Sequence, residues 1–415
     1  MQQNLGFPIG RRYGPADTAL RRKPLCAYCD PILIAIGFRL RANAPEGQKR
    51  FPISFLTAFA LSAGLVLFPA GAKAAYVATE LAVLTEASIR VVRGVNSSTE
   101  VVGGARLGSG RHQGFLLDGR VVPVGSTFGR EVPQNNSPFQ TRALALPIDP
   151  GSDYSTAFDI NDFGDIAGAA NTATALRAFK SHRNTDYIEL GPLSGDTSSA
   201  AFGISQNGTV VGFSSGPNGT RAVIWNPGGI VRPLPALSGT NGSQAFAIND
   251  RGDVVGGSGM PSGLHATLWA RGGTAQDLGT LPGHAVSEAV SINESGDIVG
   301  SSGNPQQRRA VLWAQGGAIR DLGTLPGGAS SRALGIIKGE VVGTSETSDG
   351  EHAFLWTDAG GMQDLNSLLT SRSGFVLTQA VSINSQGTIL AIGQNDDSVD
   401  THEKPLRIFI LVPTP

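Results

Sequence analysis

Ala245-Phe246-Ala247-Ile248-Asn249-Asp250-Arg251-Gly252-Asp253-Val254-Val255-Gly256 is answered 44 residues later by Ala289-Val290-Ser291-Ile292-Asn293-Glu294-Ser295-Gly296-Asp297-Ile298-Val299-Gly300. The phrase also begins at Ala157 and Ala201, recurs one residue shorter at Ala333, and returns at Ala380. A weaker copy starts at Val92, where Val95-Asn96 precede Val101-Val102-Gly103. A second phrase follows: Arg221-Ala222-Val223-Ile224-Trp225, His265-Ala266-Thr267-Leu268-Trp269, Arg309-Ala310-Val311-Leu312-Trp313 and His352-Ala353-Phe354-Leu355-Trp356. Each of these runs into a Gly-Gly pair and then a third phrase, clearest in Asp277-Leu278-Gly279-Thr280-Leu281-Pro282 and Asp321-Leu322-Gly323-Thr324-Leu325-Pro326.

Each unit therefore holds four short apolar segments separated by turn residues. Asn-Asp-x-Gly suits a tight turn with Gly in the left-handed region. Segments of this length, rich in Val, Ile, Leu and Trp, read as strands; helices would need ten or more residues between breakers. Four strands in about 44 residues is the size of a propeller blade. Side-chain size agrees with a wedge-shaped blade, since the first two segments carry Ala, Gly and Ser and the third carries Trp and Leu. Such a Trp can fill the gap between neighbouring blades.

The ends of the chain indicate closure. Residues 78–84 resemble a lone fourth segment, while the last unit ends after its third, Arg407-Ile408-Phe409-Ile410-Leu411. Together they make one whole blade and remove the exposed edges of an open array. The expectation is an all-β, seven-bladed β-propeller over 75–415, with units starting near 92, 157, 201, 245, 289, 333 and 380. The alternative, an open β-solenoid, leaves the split unit unexplained.

Residues 1–74 are excluded from this fold. They carry ten of the 32 Lys+Arg and three of the 33 Asp+Glu, leaving 22 and 30 in the body. A mildly acidic body offers no field for phosphate, so nucleic acid is not an expected partner. Gln48-Lys49-Arg50, the apolar stretch 51–68 and Ala72-Lys73-Ala74 form a tripartite export signal over 48–74, with cleavage expected after Ala74. About 18 apolar residues could also anchor in a bilayer, but Pro69 and the small-x-small end favour cleavage. The expected location is secreted or periplasmic, without stable membrane insertion, as a monomer. Residues 1–47 are an awkward extension for such a signal, either disordered or upstream of the true start. Cys26 and Cys29 are the only cysteines, have no second pair and fall within the removed segment.

The combination Ala-x-x-Ile-Asn-x-x-Gly-x-Val-Val-Gly, His352-Ala353-Phe354-Leu355-Trp356 and Asp-Leu-Gly-Thr-Leu-Pro-Gly-Gly resembles the bacterial HAF-repeat family over about 78–415. The resemblance implies an exported repeat protein and supplies no reaction and no catalytic residues. Ala178-Phe179-Lys180-Ser181, where Trp is lost, departs from it, as do the degenerate first and last units.

Repeated polar residues read as scaffold. Of six histidines only His265 and His352 share a repeat position, and Arg177, Arg221 and Arg309 fill it elsewhere, so no metal ligand is expected there. Asn161-Asp162-Phe163-Gly164-Asp165 and Asn249–Asp253 lack the ligand set of a calcium loop. Ser155, Ser199, Ser243, Ser287 and Ser331 stand two residues before the repeat Ala; they either cap turns between blades or line a ligand mouth, and their regularity favours the first. No catalytic triad order, phosphate loop or dinucleotide fingerprint is present, so no cofactor is expected and no catalytic residue is assigned.

Function is expected where the repeat breaks. The step from Val92 to Ala157 is about twenty residues too long, placing an insert at 126–142 with Phe128, Arg130, Phe139 and Arg142 as candidate ligand contacts. The expected role is a binding module for a protein or glycan, through loops between strands two and three and between blades. Alternatives are a hydrolase or lyase with a channel-mouth site, and a structural component of the cell surface.

Overall fold

The computed structural model describes residues 75–81, 87–107, 109–118, 142–145, 153–183, 186–240, 242–260, 263–304, 307–316, 318–371, 374–396 and 406–414. The segment 48–74 read as an export signal, residues 1–47 and the cysteine pair lie outside them. The described chain forms seven four-stranded antiparallel sheets, one per repeat. Their first strands are Ala87–Val95, Ser155–Ile160, Ser198–Ile204, Ser243–Ile248, Val286–Ile292, Ser331–Ile337 and Phe375–Ile383, defining blades I to VII. Each first strand lies against those of both neighbouring blades, blade VII against blade I included. The seven therefore close into a ring around a central channel, and the chain is a seven-bladed β-propeller.

The closing blade is split as the ends of the sequence foretold. Tyr76–Glu80 pairs antiparallel with Arg407–Pro413, from Tyr76↔Pro413 to Glu80↔Phe409. It is the outer strand of a sheet whose other three strands are the last of the chain. It begins two residues before the expected Ala78 and ends at Glu80, with Leu81 N–H still donating to Ile408 O at 2.9 Å.

Residue choice within each blade follows from which seam a side chain enters. Successive strand residues point to opposite faces, and the second strand is covered on both, so it carries consecutive apolar residues. Val254 packs into the seam with blade III and Val255 into the seam with blade V. The same division holds for Val210 and Val211, for Ile298 and Val299, and for Val341 and Val342. The buried apolar residues form seven clusters, each straddling one pair of neighbouring blades; the last joins Leu390, Ile392, Ile408 and Ile410 to Val92, Val101 and Phe115. Trp225 sits in the seam between blades II and III and donates from Nε1 to Gly191 O at 2.8 Å. Trp269 does the same one blade on, to Pro235 O at 2.6 Å. In blade II the equivalent residue is Ser181, buried, with no hydrogen-bond partner for its Oγ among the described residues.

The glycine ending Val-Val-Gly has a steric cause. Each first strand bulges after the repeat Ala, as between Ala245 and Ala247. The bulge presses the preceding carbonyl inward, and a Cβ on Gly256 would lie 2.0 Å from Gln244 O. Gly212, Gly300 and Gly343 face carbonyls at 1.9, 1.9 and 2.0 Å. The Asn-x-x-Gly turn also needs its glycine, with φ of +85° at Gly164, +82° at Gly252 and +88° at Gly296. In the shortened unit Lys338 and Gly339 both take positive φ, the signature of a two-residue hairpin turn.

Candidate functional site

The repeated polar positions are occupied by the scaffold. Each serine before the repeat Ala is buried, and its Oγ accepts from a third-strand N–H of the preceding blade: Gly114, Ala178, Ala222, Ala266 and Ala310, at 2.8–3.0 Å. Ser199, Ser287 and Ser331 also donate to Leu190 O, Gly279 O and Gly323 O, so the hydroxyl bridges two strands of the neighbouring sheet where the fourth departs. The capping role is the one these serines have.

The turn asparagines stitch blade to blade. Asn96 Nδ2 donates to Asn161 O, Asn161 Nδ2 to Ser205 O, Asn249 Nδ2 to Asn293 O, and Asn384 Nδ2 to Asn96 O across the closing seam. Asp162, Asp250 and Glu294 accept from the N–H of Ser97, Gln206 and Asp250 in the preceding blade. These carboxylates are consumed by the ring.

The His/Arg position has a partner that sequence reasoning missed. His265 Nδ1 lies 2.9 Å from Asp277 Oδ2, His352 Nδ1 2.8 Å from Asp364 Oδ2, Arg309 Nη2 3.2 Å from Asp321 Oδ2 and Arg177 Nε 3.1 Å from Glu189 Oε1. A His or Arg on the third strand thus meets an acid on the fourth. In the closing blade the pair is Arg407 and Glu80, at 2.5 and 2.7 Å, tying the two ends of the fold together. Blade III has Pro233 at the acid position, and Arg221 turns instead to Asp196. The signal was in the sequence, as an acid twelve residues after Arg177, His265, Arg309 and His352.

Among the residues singled out in the long unit, Phe128, Arg130 and Phe139 lie outside the described residues. Arg142 opens the fourth strand of blade I, Arg142–Ala145, opposite Asp118; it belongs to the sheet, and the insert ends before it.

What does not repeat gathers at the channel. The residue after the repeat Ala is Phe158, Phe202 and Phe246 in blades II to IV, and Arg93, Val290, Leu334 and Val381 in the others. The Phe158 and Phe202 rings meet edge to face at 5.0 Å between centroids, and Phe202 lies 5.9 Å from Phe246. These partly exposed rings form an arc on one side.

On the other side the residue before the repeat Ala is charged in two adjacent blades, Glu288 in V and Arg332 in VI. Each shares its sheet face with an opposite charge near the start of the third strand, Arg308 in Gln307–Trp313 and Glu351 in Gly350–Thr357. The two blades thus carry one pair with the charges exchanged. Glu288 Oε2 is 3.7 Å from Arg308 Nη1, which also donates to Ser301 Oγ at 3.1 Å. Glu288 is 5% exposed, and its Oε1 has no hydrogen-bond partner among the described residues. Burial pushes the Glu288 carboxyl up, opposed by Arg308, Arg332 and, from blade I, Arg93. Burial lowers the Arg332 guanidinium, helped by Arg308 and opposed by Glu288 and Glu351. Both pairs stand near the channel end bearing the loops between strands two and three.

The opposite end carries a groove of about 360 Å³ between blades III and IV, with Asn226, Asn249, Arg232, Arg251 and Arg271 in its wall. Its cations are drawn into the blades: Arg232 Nη1 donates to Gly272 O at 3.1 Å, and Arg251 pairs with Asp253 at 3.2 Å.

No family model and no curated protein matches the sequence. Solved structures do. A streptogramin B lyase aligns over 82% of this chain and 98% of its own, at 15% identity and a TM-score of 0.50. The β-propeller domain of the Trilobed protease from Pyrococcus furiosus aligns over 79% and 95%, at 10% identity and 0.47. An oligogalacturonate lyase in complex with manganese aligns over 83% and 98%, at 10% identity and 0.48. At these identities the likeness is one of fold alone, and the β-propeller rests on the ring of seven four-stranded sheets. No helix among the described residues is long and apolar enough to cross a membrane.

Proposed function

We propose that this chain is an exported β-propeller binding module that takes a protein or glycan ligand at the channel end carrying the loops between strands two and three. One observation carries this reading. The serines, asparagines and His/Arg–acid pairs that repeat are spent on holding blades together, whereas the unrepeated charges Glu288, Arg308, Arg332 and Glu351 gather at one place. A ring of equivalent blades has no use for such asymmetry, and a ligand without sevenfold symmetry does. Export rests on the signal at 48–74 and on the resemblance to HAF-repeat proteins. Its test is N-terminal sequencing of the protein recovered outside the cytoplasm, which is expected to begin at Ala75. The binding reading is tested by glycan-array and pull-down capture with the full chain. Capture should be lost in the Glu288→Gln/Arg332→Gln double variant; capture indifferent to both changes contradicts it.

A second reading, a channel-mouth hydrolase or lyase, is favoured by the burial of Glu288 with one carboxyl oxygen unpartnered among the described residues, a setting in which a carboxyl can exchange a proton with a bound substrate. A captured glycan released shorter or unsaturated over time would support it over simple binding.

A further inference from the structure

The chemistry of the ligand follows from what the two sides of the channel leave unsatisfied, given the binding reading on which this inference rests. Glu288 Oε1 is a buried acceptor with no donor among the described residues. A buried polar atom in that condition is costly, and an incoming O–H or N–H relieves the cost. Arg332 and Arg93 act on the same carboxylate from blades VI and I. Arg332 is partly desolvated, with Arg308 as a like-charged neighbour and Glu288 and Glu351 as opposing ones, so its guanidinium stands in a charge cluster shared by blades V and VI. Guanidinium groups hold carboxylates through paired, charge-assisted hydrogen bonds. Across the channel Phe158, Phe202 and Phe246 offer a continuous aromatic surface of the kind that takes an apolar face. A molecule meeting all three demands carries a carboxylate, neighbouring hydroxyls and a ring with an apolar face.

We propose that the channel binds a sugar acid, the uronic acid unit of an acidic glycan. Its carboxylate goes to Arg332 and Arg93, a hydroxyl donates to Glu288 Oε1, and its C–H face lies on the Phe158–Phe202–Phe246 arc. The residues that make this site occupy positions where the other blades carry uncharged or small residues, so the site exists once in the ring.

The test is calorimetric titration of the full chain with glucuronate and galacturonate, with glucose and acetate as controls. The uronates should bind at least tenfold more tightly than either control. Arg332→Gln should weaken uronate binding roughly tenfold, the size of one charge-assisted contact, and bring it to the level of glucose. Arg93→Gln, in a different blade, should act in the same direction, while Phe202→Leu should weaken uronate and glucose alike. Thermal unfolding of each variant separates loss of binding from loss of fold. Uronate binding no tighter than acetate, or unmoved by both arginine variants in folded protein, overturns the proposal. If uronates fail but a ligand captured by the full chain is lost with Arg332→Gln, the sugar-acid class falls and the binding reading stands. If capture is also indifferent to Arg332→Gln and Glu288→Gln, both fall.

Discussion

Asp159 stands where the other blades place Gly94, Gly203, Ala247, Ser291, Gly335 and Ser382, because the next blade's first strand passes close by. Its carboxylate accepts from Ile160 N–H at 2.9 Å and from Ile204 N–H of blade III at 3.0 Å. Removal from water outweighs these bonds and raises its pKa from 3.8 to about 6. The folded state therefore binds this proton more tightly than the unfolded chain does. The associated stability is fully present below about pH 4 and is lost as pH rises to about 6, a change on the order of 3 kcal/mol. Asp159→Asn should be more stable than the parent at pH 7.5, near parity at pH 4, and flat between, as read by denaturant unfolding. Ser243→Ala should cost about 1–3 kcal/mol, because Ala222 N–H loses its acceptor in a buried seam. The serines were legible as structural from their regularity. Asp159 was not, since it looks like an ordinary polar residue until the bulge turns it into a seam.

At the scale of the strand, the sequence carried most of what the structure contains. The four segments, their turns and the bulky third strand follow from Gly, Asn and apolar spacing. The bulge did not, because it leaves no mark except a residue that is small in six of the seven blades and a Gly or Ala opposite the repeat Ala or Val. Gly256→Ala would drive a methyl to 2.0 Å from Gln244 O and should destabilise by about 1–3 kcal/mol or more. Trp269→Ala, which empties the seam between blades III and IV, should cost about 3–5 kcal/mol. Both are measured by shift in denaturant midpoint. Parity of either variant with the parent would mean that seam packing is looser than the seven clusters imply.

For the whole molecule, the split blade could be read from the two ends of the chain, and the Arg407–Glu80 pair is its chemical seal. The pair is partly exposed, so its own worth is about 1 kcal/mol or less. Glu80→Arg should nonetheless speed amide exchange across Tyr76–Glu80, and the double exchange with Arg407→Glu should restore slow exchange. The proposed binding site was the least legible feature. Glu288 and Arg332 occupy variable places in phrases 44 residues apart, and only closure of the ring brings Arg93 to bear on them. The segment 126–142 drew attention through chain length and lies, except for Arg142, outside the described residues, whereas the proposed site rests on side-chain identity at fixed positions. Hydrogen–deuterium exchange of the full chain with and without glucuronate tests this most directly. Slowed exchange strongest in Ala87–Val95, Val286–Ile292 and Ser331–Ile337 and weaker in Ser155–Ile160, Ser198–Ile204 and Ser243–Ile248, with the Asn249–Gly252 turn unchanged, is the predicted result. Protection centred on that turn, or spread evenly over seven blades, would contradict it.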